Sequence, residues 1–150
     1  MTHIDTIAAA IHETWRALSH AEGSQMQPRL DRPYEELDDD DKGDNRAAAE
    51  RMEDVLAVAG LALSNDPAKP AAALPTDLEP LAAAEHNGWV AHRAGNDWTW
   101  GETRDDAAKR HPSMVPYDRL PEREKEKDRN AIRHYPEFAA HAGYRIVRMD

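Results

Sequence analysis

The sequence predicts a mainly α-helical fold with short β-strands, two copies of one helical unit packed as one compact domain. Two observations carry this expectation. The first is internal self-similarity: Ala8-Ala9-Ala10-Ile11-His12-Glu13-Thr14-Trp15 reappears 74 residues later as Ala82-Ala83-Ala84-Glu85-His86-Asn87-Gly88-Trp89. Arg32-Pro33-Tyr34-Glu35-Glu36-Leu37 is then matched by Val115-Pro116-Tyr117-Asp118-Arg119-Leu120 at an offset of 83, which holds through Lys42/Lys125, Arg46/Arg129, Gly60/Gly143 and Leu63/Ile146. Repetition at a fixed offset marks a duplicated structural unit. The second observation is the helical spacing of apolar residues in each copy. Two units of this size share a core more readily than they stand alone, because small units bury too little of their surface.

In chain order, the first helix begins near Asp5-Thr6, carries a stripe of Ile4, Ile7, Ala8, Ile11, Trp15 and Leu18, and fades by Gly23. Residues 19–33 read as a polar loop. The next helix opens with Asp38 to Asp41, whose charge complements its dipole. Its apolar set is Ala48, Ala49, Met52, Val55, Leu56 and Ala59. Gly60 is placed as a left-handed stop, and Leu61-Ala62-Leu63 reads as a short strand. A proline-punctuated stretch follows at 64–75. The first copy is assigned to 1–66, the connector to 67–75 and the second copy to 76–150.

Thr76-Asp77-Leu78-Glu79 has capping-box spacing for the third helix, whose stripe is Leu78, Leu81, Ala82, Glu85 and Trp89. Glu85 stands where the first copy has Ile11, so that face is partly wet or Glu85 has a partner. The second copy also carries nine extra residues after its Trp, within a segment at 94–117 that holds Trp98 and Trp100 and reads as an ordered loop. The last helix opens at Pro121. Its apolar residues Ala131, Ile132, Tyr135, Phe138, Ala139 and Ala142 each lie 83 positions beyond those of the second helix. Pro136 predicts a kink near Tyr135. Gly143 ends this helix, and Tyr144 to Arg148 reads as a strand able to pair with its counterpart in the first copy.

The formal charge is −10, from 19 Lys and Arg against 29 Asp and Glu. That argues against a broad nucleic-acid surface, although it leaves room for one small anionic ligand held by local Arg and His. There is no Cys, which removes disulfides and thiolate chemistry. No apolar run approaches a membrane span and no secretory pattern opens the chain, so the expectation is a soluble cytoplasmic protein without a membrane partner.

Leu81 to Trp89, Trp98-Thr99-Trp100-Gly101, Arg104-Asp105-Asp106, His111 to Tyr117 and Gly143-Tyr144-Arg145-Ile146 together resemble the ryanodine-receptor repeat (RyR) domain family over residues 76–147. The first half resembles a degenerate copy, keeping Ile11 to Trp15, Pro33 to Leu37 and Gly60 but lacking the Trp-containing loop. Asp97 and Trp100 depart from the Gly and Tyr usual in that loop. The resemblance implies a pseudo-two-fold pair of helical repeats that accepts an adenine-containing or otherwise nucleotide-like molecule between equivalent Trp residues, here Trp15 and Trp89.

Ligand-binding candidates follow from both readings. Trp15 and Trp89 are either core where the copies meet or two walls of a cleft; the resemblance favours the cleft. His12 and His86 lie one helical turn before them and either meet a ligand or bond a neighbouring carbonyl. Glu85 joins the set as the carboxylate on that face, and Trp98 and Trp100 as the loop aromatics. Arg93, Arg104, Lys109 and His111 form a candidate basic rim for phosphates, although Arg104-Asp105-Asp106 could instead hold the loop. The Glu/Lys/Arg run at 122–129 reads as a solvated face. No nucleophile elbow, thiol or distinctive carboxylate pair suggests catalysis, and the His spacings suggest no metal site. The expectation is a non-enzymatic module without cofactor, binding a nucleotide-like small molecule as a sensor or sequestering protein. The alternative is a protein-interaction or dimerisation module, with a homodimer as one form.

Overall fold

A computed structural model describes residues 3–23 and 26–149. Within them are five helices, α1 (His3–Ala21), α2 (Asp39–Val58), α3 (Glu79–Gly95), α4 (Glu122–Arg133) and α5 (Tyr135–His141). Four short strands, β1 (Leu61–Ser64), β2 (Thr99–Trp100), β3 (Arg110–His111) and β4 (Arg145–Arg148), and two 3-10 turns, Tyr34–Glu36 and Tyr117–Arg119, complete the elements. The fold is mainly α with short strands. No described helix is long and apolar enough to cross a membrane.

Local chemistry explains most boundaries. Asp38 caps α2 by accepting the Asp41 amide at 2.9 Å, and Asp39 to Asp41 fill the positive first turn. Gly60 and Gly143 close α2 and α5 at φ 71° and 79°, a region that side chains resist. Pro136 lacks the amide that would continue the ladder, so the last helix breaks at His134 into α4 and α5. Three expectations are corrected. α1 starts at His3 and runs through Ser19 and His20 to Ala21, so the loop expected at 19–33 begins later; residues 24–25 of it lie outside the described residues. The capping box at Thr76 does not form. α3 starts at Glu79, whose amide is held by the Asp77 carboxylate at 3.0 Å, and the Glu79 side chain turns to Arg129 and Tyr117. Pro121 is the cap before α4 and not its first helical residue.

Both halves feed one core. Ile7 of α1, Met52 and Leu56 of α2, Leu81 of α3 and Ile132 of α4 are its fully buried large side chains. α1 packs on α2 and α5, and α3 packs on α2 and α4, so the helices close around a shared interior. β1 and β4 pair antiparallel, Leu63 opposite Ile146, and the connector adds a bond from the Ala72 amide to the Ile146 carbonyl at 2.8 Å. The segment at 94–117 is ordered by a two-residue parallel pairing of β2 with β3. A Cβ on Gly101 would fall 2.7 Å from that of Arg110, which explains the glycine at this crossing. Trp98 is half-buried, whereas Trp100 is 56% exposed.

Candidate functional site

A cleft of about 590 Å³ lies among α1, α2, α3, α4 and α5, within the ~300–1,000 Å³ usual for small-molecule sites. Of the sequence-derived candidates, Trp15, Glu85, Trp89 and Arg93 line it. Trp15 presents its ring from α1, flanked along the same helix face by Ile11 and Leu18, and is 45% exposed. Trp89 is half-buried and already engaged. The Arg93 guanidinium lies 5.4 Å from its ring centre, His111 meets it edge-on at 5.0 Å and His86 is tilted against it at 5.6 Å.

Glu85 has the partner its position demanded. Arg51 of α2 donates to it twice, at 3.1 and 2.9 Å, and the Tyr135 hydroxyl donates at 3.3 Å. Both ion-pair side chains are about 15% exposed, so this is a largely desolvated pair whose value depends on its good geometry. Burial, reinforced by Glu85, pushes the Tyr135 hydroxyl well above its ordinary range. A Cβ on Gly88 would sit 2.5 Å from Arg51 Cδ, so any larger residue there would push the Arg51 side chain aside.

Arg93 also stacks on Trp98 at 4.6 Å and reaches Asp44 of α2 only at 3.5 Å; the other Asp44 oxygen is 2.9 Å from His92 Nε2. Burial lowers its pKa, and Arg104 adds to this against the pull of Asp44. One buried nitrogen of Arg93 and one of Arg51 have no hydrogen-bond partner among the described residues.

The remaining candidates are placed elsewhere. His12 and His86 are buried, and their Nε2–H groups donate to the Arg32 and Val115 carbonyls at 2.8 and 2.7 Å, tying a loop to each helix. Neither lines the cleft. His111 stands behind Trp89; burial, with Arg104 and Arg93 nearby, lowers it to about 4, so it is neutral near pH 7. Arg104 is held by Asp106 at 2.7 Å, and Lys109 donates to the Asn96 carbonyl at 2.9 Å. The expected basic rim therefore reduces, at the cleft, to Arg93. Trp98 reaches the cleft only through Arg93, and Trp100 faces solvent.

A broader, open depression of about 740 Å³ runs along the 101–110 loop with Gln27. Its Arg104 and Asp106 are already paired with each other, and no aromatic side chain lines it among the described residues. The less open cleft, lined by Trp15 and Trp89, is the better candidate.

Sequence reasoning missed Arg51, Asp44, His134 and Phe138 as cleft residues. Arg51 alone had a signal, since a carboxylate at position 85 called for a cation. The run at 122–129 is solvated over most of its length, with Glu122, Arg123, Glu126 and Lys127 exposed, and departs from that reading at Asp128 and Arg129. Arg129 is held by Glu79 at 2.6 Å. Asp128 is largely buried 3.5 Å from His86 Nδ1, and burial together with Glu85 and Glu124 lifts its carboxyl to about 7.

The family model described as RyR domain matches residues 72–148, just over half of the chain. The matched span runs from the end of the connector through β4 and contributes Glu85, Trp89 and Arg93 to the cleft. Trp15, Asp44 and Arg51 enter it from outside that span. With the Trp-bearing loop, the histidine-tethered α3 and the Gly143 turn all inside the match, this chain belongs to the RyR domain family.

Proposed function

We propose that this RyR-domain protein is a non-enzymatic module that binds a nucleotide-like small molecule in the cleft between two related halves, as a sensor or a sequestering protein. The halves would be residues 1–66 and 76–150, joined by a connector at 67–75 and related by a pseudo-two-fold axis. The duplication is supported by interactions that recur at equivalent positions. Tyr34 and Arg46 converge on Asp5 in one half, and Tyr117 and Arg129 converge on Glu79 in the other. Pro33 and Pro116 share torsions, φ −56° with ψ 149° and 150°. In the β1–β4 pair, Leu63 faces its own sequence counterpart Ile146, the pairing a two-fold axis through that point would generate.

The observation that carries the ligand reading is the exposed Trp15 ring in the wall of a cleft that Glu85, Trp89 and Arg93 also line. Such a ring accepts a flat base, with stacking worth ~1–3 kcal/mol. A chain of net charge −10 repels anions at long range, so a phosphate would have to be met locally.

The test is tryptophan fluorescence and thermal melting of the full chain against adenine nucleotides, cyclic nucleotides and ADP-ribose derivatives. A binding ligand is expected to quench emission and raise the melting temperature, and the combined Trp15→Ala, Trp89→Ala variant to lose both effects. No response to any member of the panel, with a clear dimer in solution, would instead support the protein-interaction role.

A further inference from the structure

The cleft repeats its shape across the two halves but not its chemistry. Residues matched by the sequence repeat face into it in pairs: Trp15 with Trp89, Ile11 with Glu85, and Ser19 with Arg93. The α1 side of each pair is apolar or neutral, and the α3 side is aromatic with charge. A ligand that read only the shape could lie in either sense; the chemistry removes that freedom.

The two indoles are in different states. Trp89 is packed by Arg93, His111 and His86. Trp15, by contrast, has only His12 as a described ring neighbour, at 6.3 Å, and much of its surface is open. The free stacking face is therefore on α1. The cations also differ. Arg51 is taken by two bonds to Glu85, and Lys127 by Glu124 at 3.2 Å. Arg93 is fixed between Trp89 and Trp98, and its ion pair with Asp44 stretches to 3.5 Å, leaving it the least neutralised cation among the described cleft residues. A guanidinium pinned against aromatic faces is preorganised for an anion.

We infer that the cleft takes one ligand in one orientation, with its planar ring on Trp15 and its anionic group at Arg93. Trp89 is then a positioning residue that holds the guanidinium, and not the second leaf of a symmetric aromatic clamp. This rests on the nucleotide-like reading above and specifies which part of such a ligand each wall reads.

Isothermal titration of the full chain with adenosine and with AMP separates the two readings. Wild type is expected to bind both at one site and to prefer AMP by roughly tenfold or more, the scale of a hydrogen bond to a charged group. Trp15→Ala should weaken both ligands by the same factor. Arg93→Met, which keeps an apolar stem between the two Trp rings, should abolish the preference for AMP by weakening AMP at least roughly tenfold more than adenosine. Arg93→Lys, which restores the charge, should recover part of the preference. Trp89→Ala should reduce the preference more than it reduces adenosine affinity.

Equal losses for adenosine and AMP in both Arg93 variants would overturn the assignment. So would loss of the preference in Lys127→Gln but not in Arg93→Met, or two ligands bound per chain. If wild type binds neither probe nor any nucleotide of the wider panel, the cleft reading itself fails and the orientation falls with it.

Discussion

Glu85 is the residue at which the two halves of the cleft part company. Its counterpart is Ile11, and the counterpart of its partner Arg51 is His134, so an ion pair on one side answers an isoleucine and a histidine on the other. Removing one member of a desolvated pair leaves the other charge uncompensated. Glu85→Ile is accordingly expected to cost about 3 kcal/mol in urea titrations. The double variant Glu85→Ile, Arg51→His should recover more than half of that loss, because it removes both members of the pair together. Asp128, one helix away, acts through protons. It faces Glu85 and His86 of α3, Arg51 of α2, and Glu124 and Lys127 of its own helix. With its carboxyl lifted to about 7 from 3.8, the folded chain holds a proton that the unfolded chain releases. Its contribution to stability is therefore full below about pH 3.8 and lost as pH rises through about 7. His86 and His111 are lowered by burial and oppose this, losing stability as pH falls below their usual 6.5. Asp128→Asn removes the first contribution and leaves the burial of His86 and His111 in place. The variant is expected to be more stable than wild type by on the order of 2 kcal/mol at pH 8, with the gap closing towards pH 5.

At the scale of elements, the features that proved legible from sequence are the ones set by chemistry close in the chain. Asp38 caps α2 with its own neighbour's amide, Gly60 and Gly143 supply left-handed turns, and Pro136 splits the last helix. The capping box at Thr76 was misread because Glu79 is claimed by Arg129, 50 residues away, and a local pattern carries no trace of that competitor. The same holds for the run at 122–129, where charge pattern suggests solvent but packing against α3 buries Asp128. The turn chemistry gives a clean contrast between two glycines with open space around a would-be Cβ. Gly143 sits at φ 79°, whereas Gly95 has no such positive φ at the end of α3. Gly143→Ala is expected to lower stability by about 1 kcal/mol or more. Gly95→Ala should be neutral or raise it by a few tenths of a kcal/mol. Thermal melts of the two single variants check the sign of the difference.

Over the whole molecule, the candidate site was half legible, and the reason lies in where its partners come from. Trp15, Trp89, Glu85 and Arg93 stand at corresponding faces of two matched helices, so the repeat pointed to them. Arg51 and Asp44 come from α2 and reach residues 34 and 48 positions away on α3, contacts that only the closed bundle creates. The same closure bears on what the family match can do alone. The matched span at 72–148 lacks α1, α2 and β1, and with them Ile7, Met52 and Leu56 from the core, the strand that pairs with β4, and the cation that compensates Glu85. A unit of that size is already near the limit for independent stability, because it buries only ~60% of its unfolded surface even when complete. Residues 76–150 expressed alone are therefore expected to show no cooperative melt, and mixing with residues 1–75 should restore helical circular dichroism in a concentration-dependent way. A sharp melt of the isolated second half at the temperature of the full chain would mean that the shared core contributes little. The folding unit would then be the single repeat, with the cleft a later product of joining two.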